Sequence, residues 1–110
     1  MREQFTIDTN WILIMIERIV TNFSPEQVIL FGSQARGDAG VMSDIDLLVV
    51  LSKVEDKRQA AIRIRQLLSD MPFAKDIFVT TPEEIQQKGD LVGTILRPAL
   101  REGEVLYERV

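Results

Sequence analysis

Two aspartates two positions apart, Asp44 and Asp46, open a run of aliphatic residues that reaches Leu51. On a strand, residues i and i+2 point to the same face, so the two carboxylates converge while Leu48 and Val50 continue that face as core. Two carboxylates beside an apolar interior are costly without a compensating cation. The chain has no histidine and no cysteine, which removes imidazole acid–base chemistry, thiolate nucleophiles, disulfides and the usual zinc sites. The natural compensator is then Mg²⁺, which takes oxygen ligands, commonly one or two carboxylates plus substrate phosphates. Taken alone, a D-x-D pair is more often the solvated entrance to a strand.

Its neighbours change that balance. Val28-Ile29-Leu30-Phe31 is an apolar run of strand length that ends at Gly32-Ser33. Gly32 lets backbone come close to a ligand, and Ser33 offers a hydroxyl and an amide to phosphate oxygens. Arg36 follows in Ala35-Arg36-Gly37. Its guanidinium suits bidentate phosphate contact, although a surface charge is nearly as good a reading. A further acid, Asp76, sits in Lys75-Asp76-Ile77-Phe78-Val79 and by itself reads as a strand-edge charge.

The elements that must position these residues follow from periodicity and caps. Asp8 or Thr9 to Thr21 reads as a helix that is apolar around most of its circumference, which favours burial in the domain's own core over an interface. Ser24-Pro25-Glu26-Gln27 has the form of a capping box but runs at once into the first strand, so it reads as a turn. After the second strand, Asp44 to Leu51, Ser52 is the expected N-cap of a helix reaching about Ser69. Met71-Pro72 ends it, and Phe73 to Thr80 alternates as a third strand with Ala74, Asp76, Phe78 and Thr80 on one side. Thr81-Pro82-Glu83-Glu84 is a helix start with cap, first-turn proline and capping glutamate. Further helix is expected over Leu91 to Leu96, kinked or ended before Pro98, and Glu104 to Glu108 reads as a terminal strand. The order predicts an α/β (α+β) fold, a mixed sheet of about four strands with helices packed on it, forming a single domain over residues 1–110.

Composition sets the outer limits. A 45% hydrophobic content is enough for one core in 110 residues, and the lack of an apolar run of about eighteen residues or a leader-like N-terminus predicts a soluble, cytoplasmic protein without membrane contact. The formal charge of −4 argues against direct nucleic-acid binding, which needs a basic surface that releases counterions. A nucleoside triphosphate screened by magnesium remains compatible.

Gly32-Ser33, a spacer of ten residues and Asp44-Ile45-Asp46 together resemble the signature of the DNA polymerase β-like nucleotidyltransferase superfamily. The flanking Gln34-Ala35-Arg36-Gly37 and Ser43, Leu47-Leu48-Val49 bring the likeness close to its minimal nucleotidyltransferases. The resemblance covers Val28 to about Pro82. It implies that Gly32, Ser33 and Arg36 hold the nucleotide's phosphates, that Asp44 and Asp46 bind two magnesium ions, and that Asp76 is the third carboxylate, which binds one metal and helps deprotonate the attacking hydroxyl. An in-line displacement at the α-phosphate with loss of pyrophosphate follows from such a site.

Proteins similar to this one at this length are typically encoded beside a helical HEPN-domain RNase toxin. The resemblance thus implies an antitoxin that transfers AMP from ATP to a tyrosine of that toxin, as a possible homo- or hetero-oligomer. Two alternatives stand beside it. One is a nucleotidyltransferase for a small molecule, of the aminoglycoside kind; the other is a catalytically silent nucleotide-binding module that neutralises a partner by contact.

Overall fold

The structure, a computed structural model, describes residues 9–32, 45–91, 93 and 96–109. Eight elements follow one another in the described chain: α1 (Thr9–Phe23), β1 (Gln27–Phe31), β2 (Ile45–Val50), α2 (Lys57–Leu67), β3 (Lys75–Thr80), α3 (Pro82–Lys88), α4 (Leu96–Glu102) and β4 (Glu104–Glu108). The strands form one mixed sheet in the order β3-β2-β1-β4. β1 runs antiparallel to both β2 and β4, whereas β2 and β3 are parallel. A parallel neighbour cannot be reached by a tight turn, so the chain returns through α2 to start β3 beside the start of β2.

Period-two alternation divides the sheet's side chains between two cores. Val28, Leu30, Ile45, Leu47, Val49 and Ile77 face α1 and α2, where Met15, Ile19, Ile64 and Leu68 are fully buried against them. Ile29, Phe31 and Leu48 face the other way and are covered by Leu96 and Ala99 of α4. β2 is buried on both faces and accordingly reads as an unbroken apolar run after Asp46. This is the mixed α/β sheet expected from the sequence.

Three expectations are corrected. Ser52 does not cap a helix: its hydroxyl donates to the Glu26 carboxylate, and α2 starts five residues later, where Asp56 accepts from the Gln59 amide at 3.1 Å. Pro98 does not end a helix but lies in the first turn of α4, where backbone N–H groups lack intrahelical acceptors and a missing donor costs nothing. Within the helix expected over Leu91 to Leu96, Gly93 is a turn residue with a left-handed φ of 93° and Leu96 is the first residue of α4, while residues 92, 94 and 95 lie outside the described residues. α1 is also less fully covered than its composition suggests. Met15 and Ile19 are buried, but Leu13 is 59% exposed.

Candidate active site

The sequence places a glycine where β1 must stop. Gly32 has φ +82°, a left-handed conformation that L side chains resist. A Cβ built there would overlap Oδ2 of Asp46 and stand 3.2 Å from its Cγ. Glycine therefore serves twice, in turning the chain and in leaving room for the carboxylate.

Strand register then assembles the acids. Phe31 at the end of β1 pairs with Asp46 near the start of β2, and Asp46 pairs with Asp76 near the start of β3. Neighbouring strands are about 4.8 Å apart, and residues in register on parallel strands share a face. Asp46 and Asp76 thus stand side by side at one end of the sheet, on the α4 face, with Gly32 next to them. Both are partly buried. Their hard oxygen donors fit Mg²⁺. Among the described residues no third carboxylate joins them. Asp44, Ser33 and Arg36 lie outside the described residues.

Below the acids, the same face is apolar. Phe31, Leu48 and Phe78 form its floor, with the two rings 5.7 Å apart and tilted by 49°. The alternation in β3 puts Phe78 on Asp76's side, but its pairing with Phe31 requires the register of three strands and was not legible in the sequence.

Two further acids near these elements, Glu84 and Asp70, are held by donors. Glu84 accepts the buried Thr80 hydroxyl at 2.5 Å and the Lys57 ammonium at 2.6 Å. The Lys57 hydrogen bond and then that of Thr80 hold its carboxyl below the ordinary value. Asp70 takes a two-pronged contact from Arg18, at 2.6 and 3.1 Å, that lowers its pKa. Both lie away from Asp46. A groove of about 580 Å³ between Val54–Arg58 and α3 opens at the far ends of β2 and β3 and contains neither aspartate.

The family model of the nucleotidyltransferase domain matches residues 14–102, from α1 to the last residue of α4. The chain belongs to this family. Among solved structures, this nucleotidyltransferase-domain chain is similar to a candidate nucleotidyltransferase from Sulfolobus solfataricus, with a TM-score of 0.65 and 22% identity over 91% of this chain and 79% of that one. It also resembles a toxin–antitoxin crystallised with AMP-PNP, with a TM-score of 0.52 and 19% identity over 94% of this chain and 75% of that one. A mutant of the MntA-HpeT toxin–antitoxin gives a TM-score of 0.52 at 17% identity, again over 94% and 75%. At these identities the likeness is one of fold. No curated protein matches the chain.

Proposed function

We propose that this nucleotidyltransferase-domain protein moves AMP from ATP to a tyrosine hydroxyl of a HEPN-domain RNase toxin and thereby acts as its antitoxin in the cytoplasm. The observation that carries the reading is the register of Phe31, Asp46 and Asp76 across three strands, with Gly32 clearing the space beside Asp46. A domain built only to bind a partner has no use for two aspartates in register over an apolar floor beside a glycine that clears room for one of them.

Asp44, Asp46 and Asp76 would hold two magnesium ions, which when bound neutralise charge at the α-phosphate and activate the attacking oxygen. Gly32, Ser33 and Arg36 bind the β- and γ-phosphates: glycine admits the backbone, serine donates from hydroxyl and amide, and the guanidinium grips two oxygens. Asp76 accepts the proton of the incoming hydroxyl. The new bond joins the acceptor oxygen to the α-phosphorus, the bond from α-phosphorus to the bridging oxygen breaks, and pyrophosphate leaves with that electron pair. Phe31, Leu48 and Phe78 keep water from beneath the acids, where low polarity strengthens every charge interaction.

Support for the partner comes from the toxin–antitoxin likenesses. One was crystallised with an ATP analogue, and the other carries two aspartate-to-glutamate changes two positions apart, the spacing of Asp44 and Asp46. Incubated with MgATP, the helical protein encoded beside this chain should gain the mass of one or more AMP units. A partner silenced without a mass change, and equally by Asp44→Ala/Asp46→Ala, would overturn the enzyme in favour of a contact antitoxin.

A further inference from the structure

α2 is at odds with the charge of the chain that contains it. The protein has 17 acids against 13 lysines and arginines, yet the eleven residues of α2 include Lys57, Arg58, Arg63 and Arg65 and no acid. Ala60 and Ile64 turn inward, and helical spacing puts Arg58, Ile62 and Arg65 in one outward row at i, i+4 and i+7. Lys57 is taken by Glu84. Among the described residues Arg58, Arg63 and Arg65 have no ion-pair partner. Between the two guanidiniums of the row, Ile62 is 39% exposed.

Alongside the helix, Arg63 lines an open groove of about 520 Å³ together with Lys53 and Arg109. Of the acids near the helix, Asp56 caps it and Glu26 takes Ser52 and Arg109, while Glu55 and Glu83 line a groove with Arg58.

We infer that the outward face of α2, with Arg58 and Arg65 flanking Ile62 and Arg63 at its side, is the docking surface for an acidic, partly apolar surface of the protein acceptor. This rests on the function proposed above and names the surface by which the acceptor is held. Charge complementarity selects the occupant. Unpaired guanidiniums around an exposed aliphatic side chain match carboxylates around an apolar residue, whereas a nucleic acid is repelled by the net negative charge of the chain. α2 packs on the face of the sheet opposite Asp46 and Asp76. Docking there leaves the carboxylate end of the sheet uncovered for the nucleotide and the acceptor hydroxyl.

The test uses the full chain and its genomic neighbour, with affinity measured by calorimetry at low and high salt and AMP transfer followed by intact mass. Arg58→Glu/Arg65→Glu is compared with Lys88→Glu/Arg101→Glu, the same change of net charge on α3 and α4. The first pair should weaken binding at least about tenfold and flatten its salt dependence, because opposed like charges are costly at an interface. The second should change it less than about threefold. All four residues are exposed, so both variants should keep the wild-type thermal midpoint, and neither should change the affinity for MgATP measured by calorimetry in the absence of the partner. Equal binding by the two pairs, with AMP transfer intact, would overturn this surface and leave the proposed function standing. A neighbour neither bound nor modified by the wild type would overturn both. Selective loss of affinity for a single-stranded RNA probe, with partner binding unchanged, would overturn the protein occupant in favour of nucleic acid.

Discussion

The two ends of the parallel pair β2 and β3 handle carboxylates in opposite ways. At the far end, Glu84 is matched internally by the Thr80 hydroxyl and the Lys57 ammonium, so the cost of holding a partly buried acid is met by the fold itself. At the near end, register aligns Asp46 and Asp76 across the strands, and Gly32 leaves room for the Asp46 carboxylate. The geometry at the near end, a glycine cleared beside an aspartate and a second aspartate in register with it, suits a ligand; the pairings of Glu84 stabilise the chain. On this view, changes at the near end should abolish chemistry and spare stability, and changes at the far end should do the reverse.

The largest expected effect is from Asp44→Ala/Asp46→Ala. AMP transfer should fall below detection while circular dichroism and the thermal midpoint stay close to wild type. Unchanged transfer would remove the near end from the chemistry altogether. Asp76→Asn comes next, with single-turnover transfer slowed about 10²- to 10⁴-fold. Affinity for MgATP, measured by calorimetry, should change little, because the triphosphate is held mainly by Gly32, Ser33, Arg36 and the Asp44–Asp46 side. Near-normal transfer would return Asp76 to a strand-edge charge.

Gly32→Ala sharpens the contrast, since it disturbs fold and site together. The left-handed backbone alone should cost about 1–2 kcal/mol. The displaced Asp46 carboxylate should cut transfer about 10²-fold, as small misplacements do. A fully active Gly32→Ala would show that the Asp46 position is not critical.

At the far end, Glu84→Ala leaves the buried Thr80 hydroxyl without its acceptor and should cost about 1–3 kcal/mol in urea unfolding, with transfer unaffected. Glu84→Gln keeps an acceptor for Thr80 but loses the charge. The folded pKa of Glu84 lies below its ordinary value of 4.5, owing first to Lys57 and then to Thr80, so its contribution is fully present above 4.5 and is lost as pH falls through the lowered value. The stability gap between wild type and Glu84→Gln should therefore narrow below pH 4.5. A gap that widens on acidification would contradict the assigned cause.

How much of this was legible from the residues depends on how local the determining physics is. The β1 run ending at Gly32, the alternation that puts Asp76 beside Phe78 and the Thr81-Pro82 helix start all depend on neighbours in sequence, and each stands where expected. Ser52 misled because serine and aspartate both cap helices. Its hydroxyl is claimed by Glu26, 26 residues earlier in the chain, which no local pattern reports. Pro98 misled because a proline that stops one helix and one that starts another differ only in which side carries the helix. For the candidate site, the sequence put Asp76 on the right strand face but could not align it with Asp46, since register between β2 and β3 is set by packing of α2. The expectations for Asp44, Ser33 and Arg36 fall outside the described residues.

The central claim is that the near end performs nucleotidyl transfer, and isotopic labelling tests it most directly. With the partner, magnesium and ATP labelled in turn at the α- and γ-phosphorus, the account predicts that α-label appears on the partner and γ-label leaves as pyrophosphate. Both signals should vanish for Asp44→Ala/Asp46→Ala and on chelation of the metal. Label passing to the partner from the γ-phosphorus, or α-label transferred undiminished by the double variant, would contradict it.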